Sequence, residues 1–263
     1  MRFRPCIDIH NGQVKQIVGG SLLDRGDQAE ENFVSGQDAA YYAHMYKKSG
    51  IKGGHIILLN PVTSEHYAAT KEQARKALAA YPGGMQIGGG ITDENAAEYL
   101  QAGASHVIVT SFVFKNGQIS RGNLHKIEQA VGKEHLVLDL SCRKKDGQYY
   151  IVTERWQHFT QVPITLELLQ ELSLHCDEFL VHAVDVEGKA SGIEAELVEL
   201  LTRLEHFPVT YAGGVGSFAD LAELKEKGRN KIDVTIGSAL DIFGGNMAYE
   251  KVLDACNSDA SLV

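Results

Sequence analysis

Eight short apolar, β-branched runs, each closed by a polar or glycine cluster and followed by residues with helical spacing, restrict this chain to few architectures. They occupy residues 5–8, 55–60, 85–89, 106–111, 136–141, 179–185, 209–214 and 233–238. Spread over 263 residues this is about 33 per unit, the length of one strand–helix repeat. Strands that are apolar throughout, alternating with helices, belong in a parallel sheet covered on its outer face. Eight units match a (β/α)8 barrel; a doubly wound open sheet, the rival, usually closes with fewer strands. Thr70-Lys71-Glu72-Gln73 and Ser217-Phe218-Ala219-Asp220 resemble capping boxes, and Asp93-Glu94 stand where a helix dipole favours acids.

The two halves of the chain echo each other. Cys6-Ile7-Asp8-Ile9 matches Val137-Leu138-Asp139-Leu140, Ile87-Gly88-Gly89-Gly90-Ile91 matches Tyr211-Ala212-Gly213-Gly214-Val215, and Val107-Ile108-Val109-Thr110-Ser111 matches Val234-Thr235-Ile236-Gly237-Ser238. The separations are 131 residues from Asp8 to Asp139, 124 from Gly90 to Gly214 and 127 from Ser111 to Ser238. Three similar offsets in one order point to a duplicated half-barrel of four units. No linker interrupts the chain, so one barrel domain is expected over 1–263, with half-barrels at about 1–130 and 131–255. An insertion at 142–161 carries Asp146-Gly147 between strand-like flanks and reads as a hairpin. It and the polar segment 21–36, where mobility is expected, lie on the strand C-terminal side, where barrel enzymes keep their chemistry.

Composition narrows the function. With 25 Lys and Arg against 34 Asp and Glu, the net charge of −9 argues against nucleic acid and anionic membranes as partners. No apolar run reaches membrane-spanning length, and Asp8 interrupts the start too early for a signal peptide. Cys6, Cys142, Cys176 and Cys256 are scattered without a CxxC pair, which suits free thiols in the cytoplasm. The histidines show no HExxH spacing, so no metal is expected. Gly12 and Gly19-Gly20 do not form GxGxxG after the first strand, so no dinucleotide cofactor is expected either.

Asp8 and Asp139 end the first and fifth strands, diametrically opposite in an eight-strand ring. Carboxylates at those places face the barrel mouth and flank whatever binds across it, as an acid and a base on opposite faces of one substrate. Otherwise each merely caps the loop after its strand. Gly89-Gly90 and Gly213-Gly214 end the third and seventh strands, and Thr110-Ser111 and Gly237-Ser238 end the fourth and eighth. Backbone without Cβ atoms can approach an anion closely, and a phosphate site after the seventh and eighth strands, completed by a short helix at 239–243, is a recurrent barrel feature. The repeat builds a second such site, which implies a long substrate phosphorylated at both ends; the alternative is a pair of tight turns. Asp185 binds ribose hydroxyls or caps the loop at 188–192. Trp156 stacks on a flat heterocycle or packs the insertion down. Arg143 contacts substrate or is a solvated loop charge, and Lys15 closes over a phosphate or is an inert surface lysine.

These residues resemble a known family. Cys6-Ile7-Asp8-Ile9-His10-Asn11-Gly12, Val14-Lys15-Gln16-Ile17-Val18-Gly19-Gly20, Gly88-Gly89-Gly90-Ile91, Val137-Leu138-Asp139-Leu140-Ser141-Cys142-Arg143-Lys144, His182-Ala183-Val184-Asp185-Val186-Glu187-Gly188, Tyr211-Ala212-Gly213-Gly214 and residues 235–246 look like the eukaryotic form of the ProFAR isomerases of histidine biosynthesis. The resemblance runs from about residue 3 to about 250. It implies a (β/α)8 barrel that converts an aminoaldose to an aminoketose, an Amadori rearrangement, without metal or cofactor. The implied substrate is an imidazole carboxamide with a phosphoribosyl group at each end. The resemblance makes Asp8 the general base and Asp139 the general acid. A duplicated barrel needs no partner to complete its site, so a monomer is expected.

Bacterial relatives carry Arg where Gln16 stands, Thr where Val184 stands, and Asp-Leu-Asp where this chain has Leu58-Leu59-Asn60. Lys15 and Arg143 are the groups available to replace them. The sister barrel, the imidazole glycerol phosphate synthase cyclase, shares both Asp positions but has Lys eight residues after the first, where Gln16 stands here. A silent barrel that senses a phosphorylated metabolite would keep the glycine pairs without needing both carboxylates.

Overall fold

The computed structural model describes residues 1–18, 21, 29–154 and 156–258. Eight parallel strands form its ring: β1 (Cys6–His10), β2 (Gly54–Leu58), β3 (Met85–Gly88), β4 (Val107–Val109), β5 (Leu136–Asp139), β6 (Glu178–His182), β7 (Val209–Ala212) and β8 (Asp233–Thr235). Each strand pairs with the next in chain order. The ring closes where the residues ahead of β1 meet β8. Phe3 bridges Val234, Arg4 N–H donates to the Val234 carbonyl at 2.8 Å, and Val234 N–H donates to the Arg2 carbonyl at 3.0 Å. All eight apolar runs coincide with these strands, and the fold is a (β/α)8 barrel.

A helix follows every strand: α1 (Ala39–Lys48), α2 (Tyr67–Ala80), α3 (Ala96–Gln101), α4 (Arg121–Val131), α5 (Leu166–Leu172), α6 (Ala195–Leu201), α7 (Phe218–Lys227) and α8 (Tyr249–Asn257). In α1 the buried residues are Ala39, Tyr42, Ala43 and Tyr46, the spacing of one helix face. Ser217 caps α7 as its sequence predicts, accepting from Asp220 N–H at 3.2 Å. Thr70 does not cap. It lies inside α2, fully buried, where its hydroxyl donates to Asn60 Oδ1 at 2.7 Å and accepts from Gly12 N–H at 3.0 Å. Thr70 therefore ties the loop after β1 to the end of β2. Asp93 and Glu94 precede α3, whose first-turn acid is Glu98. Among the described residues no helix is long and apolar enough to cross a membrane.

The two-residue period of a strand sorts its side chains between two cores. Ile7, Ile56, Ile87, Leu138, Phe179, Val181, Tyr211 and Val234 belong to the main core with the helices. Ile108, Val137 and Leu180, with Ile57 against them, form a separate plug. Two residues toward the N-terminal side of Leu180, Glu178 joins a buried polar floor. Its carboxylate accepts from Thr210 Oγ1 at 2.5 Å and Gln86 Nε2 at 2.8 Å, and Arg4 Nε donates to Asp233 at 2.9 Å. Two residues toward the other side of the plug, the same faces carry Asp139 on β5 and His182 on β6.

Two additions sit at the C-terminal end of the ring. Gln13–Ile17 pairs antiparallel with β1 and with Glu31–Val34. Of the segment expected to be mobile, residues 22–28 lie outside the described residues, as do Gly19 and Gly20. The insertion after β5 is the expected hairpin, Cys142–Lys145 with Gln148–Thr153, extended by a third strand, His158–Pro163. Asp146 (φ 51°) and Gly147 (φ 79°) turn it, both left-handed, as a type I′ turn requires.

Candidate active site

Asp8 and Asp139, on opposite strands of the ring, line one cavity of about 400 Å³ together with Gly89, Gly90, Thr110, Ser111, Trp156, His182 and Glu187. The environments of the two aspartates drive them apart. Burial, reinforced by the charge of Glu187, lifts Asp8 to about 7 against the pull of His182. Burial pushes Asp139 up as well, but His182 and the hydroxyls around it bring it below the ordinary carboxylate value. Asp139 Oδ1 accepts from Ser141 N–H at 2.9 Å and Ser141 Oγ at 2.8 Å, with His182 Nδ1 at 3.3 Å, while Oδ2 accepts from Thr110 Oγ1 at 3.0 Å. Asp139 is thus held as an anion.

His182 responds in the opposite sense. Burial alone would strip its proton, but the adjoining Asp139 carboxylate raises it to about 9. Burial, reinforced by the charge of His182, depresses His55, whose ring lies 5.9 Å from that of His182, to about 3. Trp156, in a left-handed conformation (φ 69°), donates from Nε1 to Ser141 Oγ at 3.0 Å and sets its ring 5.8 Å from that of His182. Glu187 is pushed up by burial, and its Oε2 is buried with no hydrogen bond among the described residues. Neither His182 nor Glu187 was singled out from the sequence. Counting by twos from Leu180 puts His182 on the inner face at the mouth, so its signal was present.

The second glycine pair builds a separate recess with Gly237, Ser238 and Glu187. Gly213 (φ 121°) and Gly214 (φ 77°) have no room for a side chain: a Cβ on Gly214 would sit 1.9 Å from the Gly192 carbonyl. The expected short helix is a 3-10 turn, Asp241–Phe243. Glu187 borders both recess and cavity.

Four sequence expectations resolve differently in space. The Thr110 hydroxyl is spent on Asp139 rather than left for an anion. Lys15 is buried and its Nζ donates to Glu31 at 2.5 Å; it does not border the cavity. Arg143 Nε donates to Asp185 Oδ1 at 2.8 Å and its guanidinium lies 5.4 Å from the Phe159 ring, so the two candidates neutralise each other outside the cavity. Asp185 also accepts from Lys144 N–H at 2.9 Å, which makes it a clasp for the insertion. As for cations, among the described residues the groups that come together are Cys6, Asp8 and His55, with ligand atoms within 4.8 Å of one another.

Residues 2–247 match the family of histidine biosynthesis proteins. The chain belongs to that family. A Medicago truncatula relative, named as chloroplastic, is 52% identical over 257 residues, covering 96% of this chain and 81% of its own length. One from Yarrowia lipolytica is 46% identical, with 93% of each chain covered, and one from Saccharomyces cerevisiae is 41% identical, with 97% of each covered. All three are named as imidazole-4-carboxamide isomerases whose substrate bears a 5-phosphoribosyl group and a (5-phosphoribosylamino)methylideneamino group. The family and the resemblance read from the sequence agree.

Proposed function

We propose that this chain isomerises the doubly phosphoribosylated imidazole carboxamide of histidine biosynthesis, converting an aminoaldose to an aminoketose. The single observation that carries the reading is the placement of Asp8 and Asp139 on opposite walls of one cavity with diverging proton affinities. The glycine-lined ends of β3 and β7 are the places for the two phosphates, where backbone amides approach an anion without obstruction. Asp8, poised near neutrality, serves as the base that takes the C2 proton, and the acid side of the reaction is assembled around Asp139. Proton transfer and anion binding suffice for this chemistry, so the enzyme works as a monomer without metal or organic cofactor, as two half-barrels meeting near residue 130.

Absorbance assays of the purified protein with that substrate, with and without ammonia, test the reading. Formation of the ketose alone in both conditions supports it. Onward cyclisation with ammonia would make the chain a cyclase, and binding without turnover would make it a sensor.

A further inference from the structure

We propose that Cys6, Asp8 and His55 form a zinc site beside the active-site cavity, and that a zinc ion bound there withholds Asp8 from the reaction. The effect on turnover rests on the isomerase reading; the site itself does not.

Cys6 and His55 have no task in the isomerisation, yet the fold buries both next to its base. Residues two apart on a strand share a face, so Cys6 stands on the same inner face of β1 as Asp8. The parallel register sets His55 of β2 opposite Cys6. Each of the three offers one ligand atom, a sulfur, an oxygen and a nitrogen, and these atoms lie within 4.8 Å of one another. Buried polar groups ordinarily have hydrogen-bond partners. Cys142, Cys176 and Cys256 join the apolar core, but Cys6 does not, and its Sγ accepts from Gln16 Nε2 at 3.5 Å. His55 is only 2% exposed, and among the described residues its ring makes no hydrogen bond. An imidazole buried without a partner against a thiol and a carboxylate lacks what a cation would supply.

The donor set selects the metal. Magnesium and calcium take oxygen ligands in larger shells, whereas thiolate, imidazole and carboxylate are the ligands of zinc, which holds four at tetrahedral angles. At bond lengths of about 2.0–2.3 Å, ligand atoms around zinc stand about 3.3–3.8 Å apart, so the three draw in by roughly 1 Å through side-chain rotation. Asp8 borders the cavity, which gives the ion an entrance and leaves its fourth position to water. The Gln16 amide stays on the sulfur and favours the thiolate. Glu187 adds negative charge facing Cys6 and Asp8; the His182 ring, 5.9 Å from that of His55, opposes it.

On binding, the Cys6 thiol, and Asp8 where protonated, release their protons to cavity water. Lone pairs of the Cys6 sulfur, an Asp8 oxygen and a His55 nitrogen then form the bonds to zinc, and nothing is oxidised or reduced. A carboxylate that shares its charge with zinc is a poor base, and the ion stands between it and the substrate.

Equilibrium dialysis of the metal-free protein against chelator-buffered zinc should find one ion per chain at this site. Cys6→Ala and His55→Leu should each weaken it by about 100-fold or more, beyond the loss that removing an outer partner causes. Absence of binding in the wild type, or variants within tenfold of it, would overturn the proposal. Should either variant fail to fold, cobalt bound to the wild type decides: a thiolate-to-cobalt charge-transfer band with tetrahedral ligand-field absorption supports the site, and a spectrum without thiolate overturns it. Saturating zinc should lower turnover by about 100-fold, reversed by EDTA, as loss of a general base requires. A zinc-loaded enzyme that keeps its rate would refute the capture of Asp8. A metal-free protein without turnover would instead refute the isomerase reading and leave the site to dialysis and the cobalt spectrum.

Discussion

Replacing Asp8 with Asn separates what this carboxylate does for the reaction from what it costs the fold. On folding, Asp8 passes from an ordinary carboxylate value near 3.8 to about 7, through burial and the facing charge of Glu187. A carboxyl raised on folding binds more protons in the native state, so its contribution to stability is greatest in acid and is lost between about pH 4 and pH 7. Three units at about 1.36 kcal/mol each set an upper bound of about 4 kcal/mol, fully expressed by pH 8. Solvent in the cavity screens part of it, which leaves about 2–3 kcal/mol. Asp8→Asn carries no charge and escapes this cost. In urea unfolding the variant is expected to gain on the wild type as pH rises, with the gap about 2 kcal/mol wider at pH 8 than at pH 5. The same variant should bind substrate and lose turnover by about 100-fold or more. A stability gap independent of pH, or near-normal turnover, would refute the reasoning.

Wild-type kcat/KM should rise through about pH 7 as Asp8 ionises, and a profile flat from pH 6 to 8 would deny Asp8 the role of base. Arg4→Met leaves Glu178 buried beneath the plug without its cation and Asp233 with Arg2 alone; denaturant melts should show a loss of about 3–5 kcal/mol, and a change under 1 kcal/mol would show that Glu178 does not need Arg4 as its counterion. Gly214→Ala forces a Cβ onto the Gly192 carbonyl and should raise KM about tenfold, with a smaller change in kcat, if the loop holds a phosphate. EDTA should leave turnover unchanged; a loss restored by added metal would instead place a working ion on Cys6, Asp8 and His55.

The barrel was readable because its signals are local. Each strand announces itself by a run of apolar residues, and each is closed by polar or glycine residues that cannot continue it. The internal repeat needed only spacing to be seen. Thr70 shows the limit: its neighbours imitate a capping box, but the helix starts at Tyr67 because Thr70 can bury its hydroxyl against Asn60 and Gly12. Lys15 shows another, since a lysine in a hairpin strand reads as a mobile charge until Glu31 on the opposite strand is seen to claim it.

Strand order and the seating of Asp8 and Asp139 on opposite walls are consequences of residue period and unit count, both written along the chain. Proton ownership is not. It depends on which donors reach which oxygens across separate strands: Thr110 and His182 on Asp139, from 29 and 43 residues away, or Arg143 on Asp185, from 42. Such pairings follow from register, side-chain rotamer and burial together. Neighbouring residues carry no record of these, so only the closed ring decides which carboxylate keeps its charge.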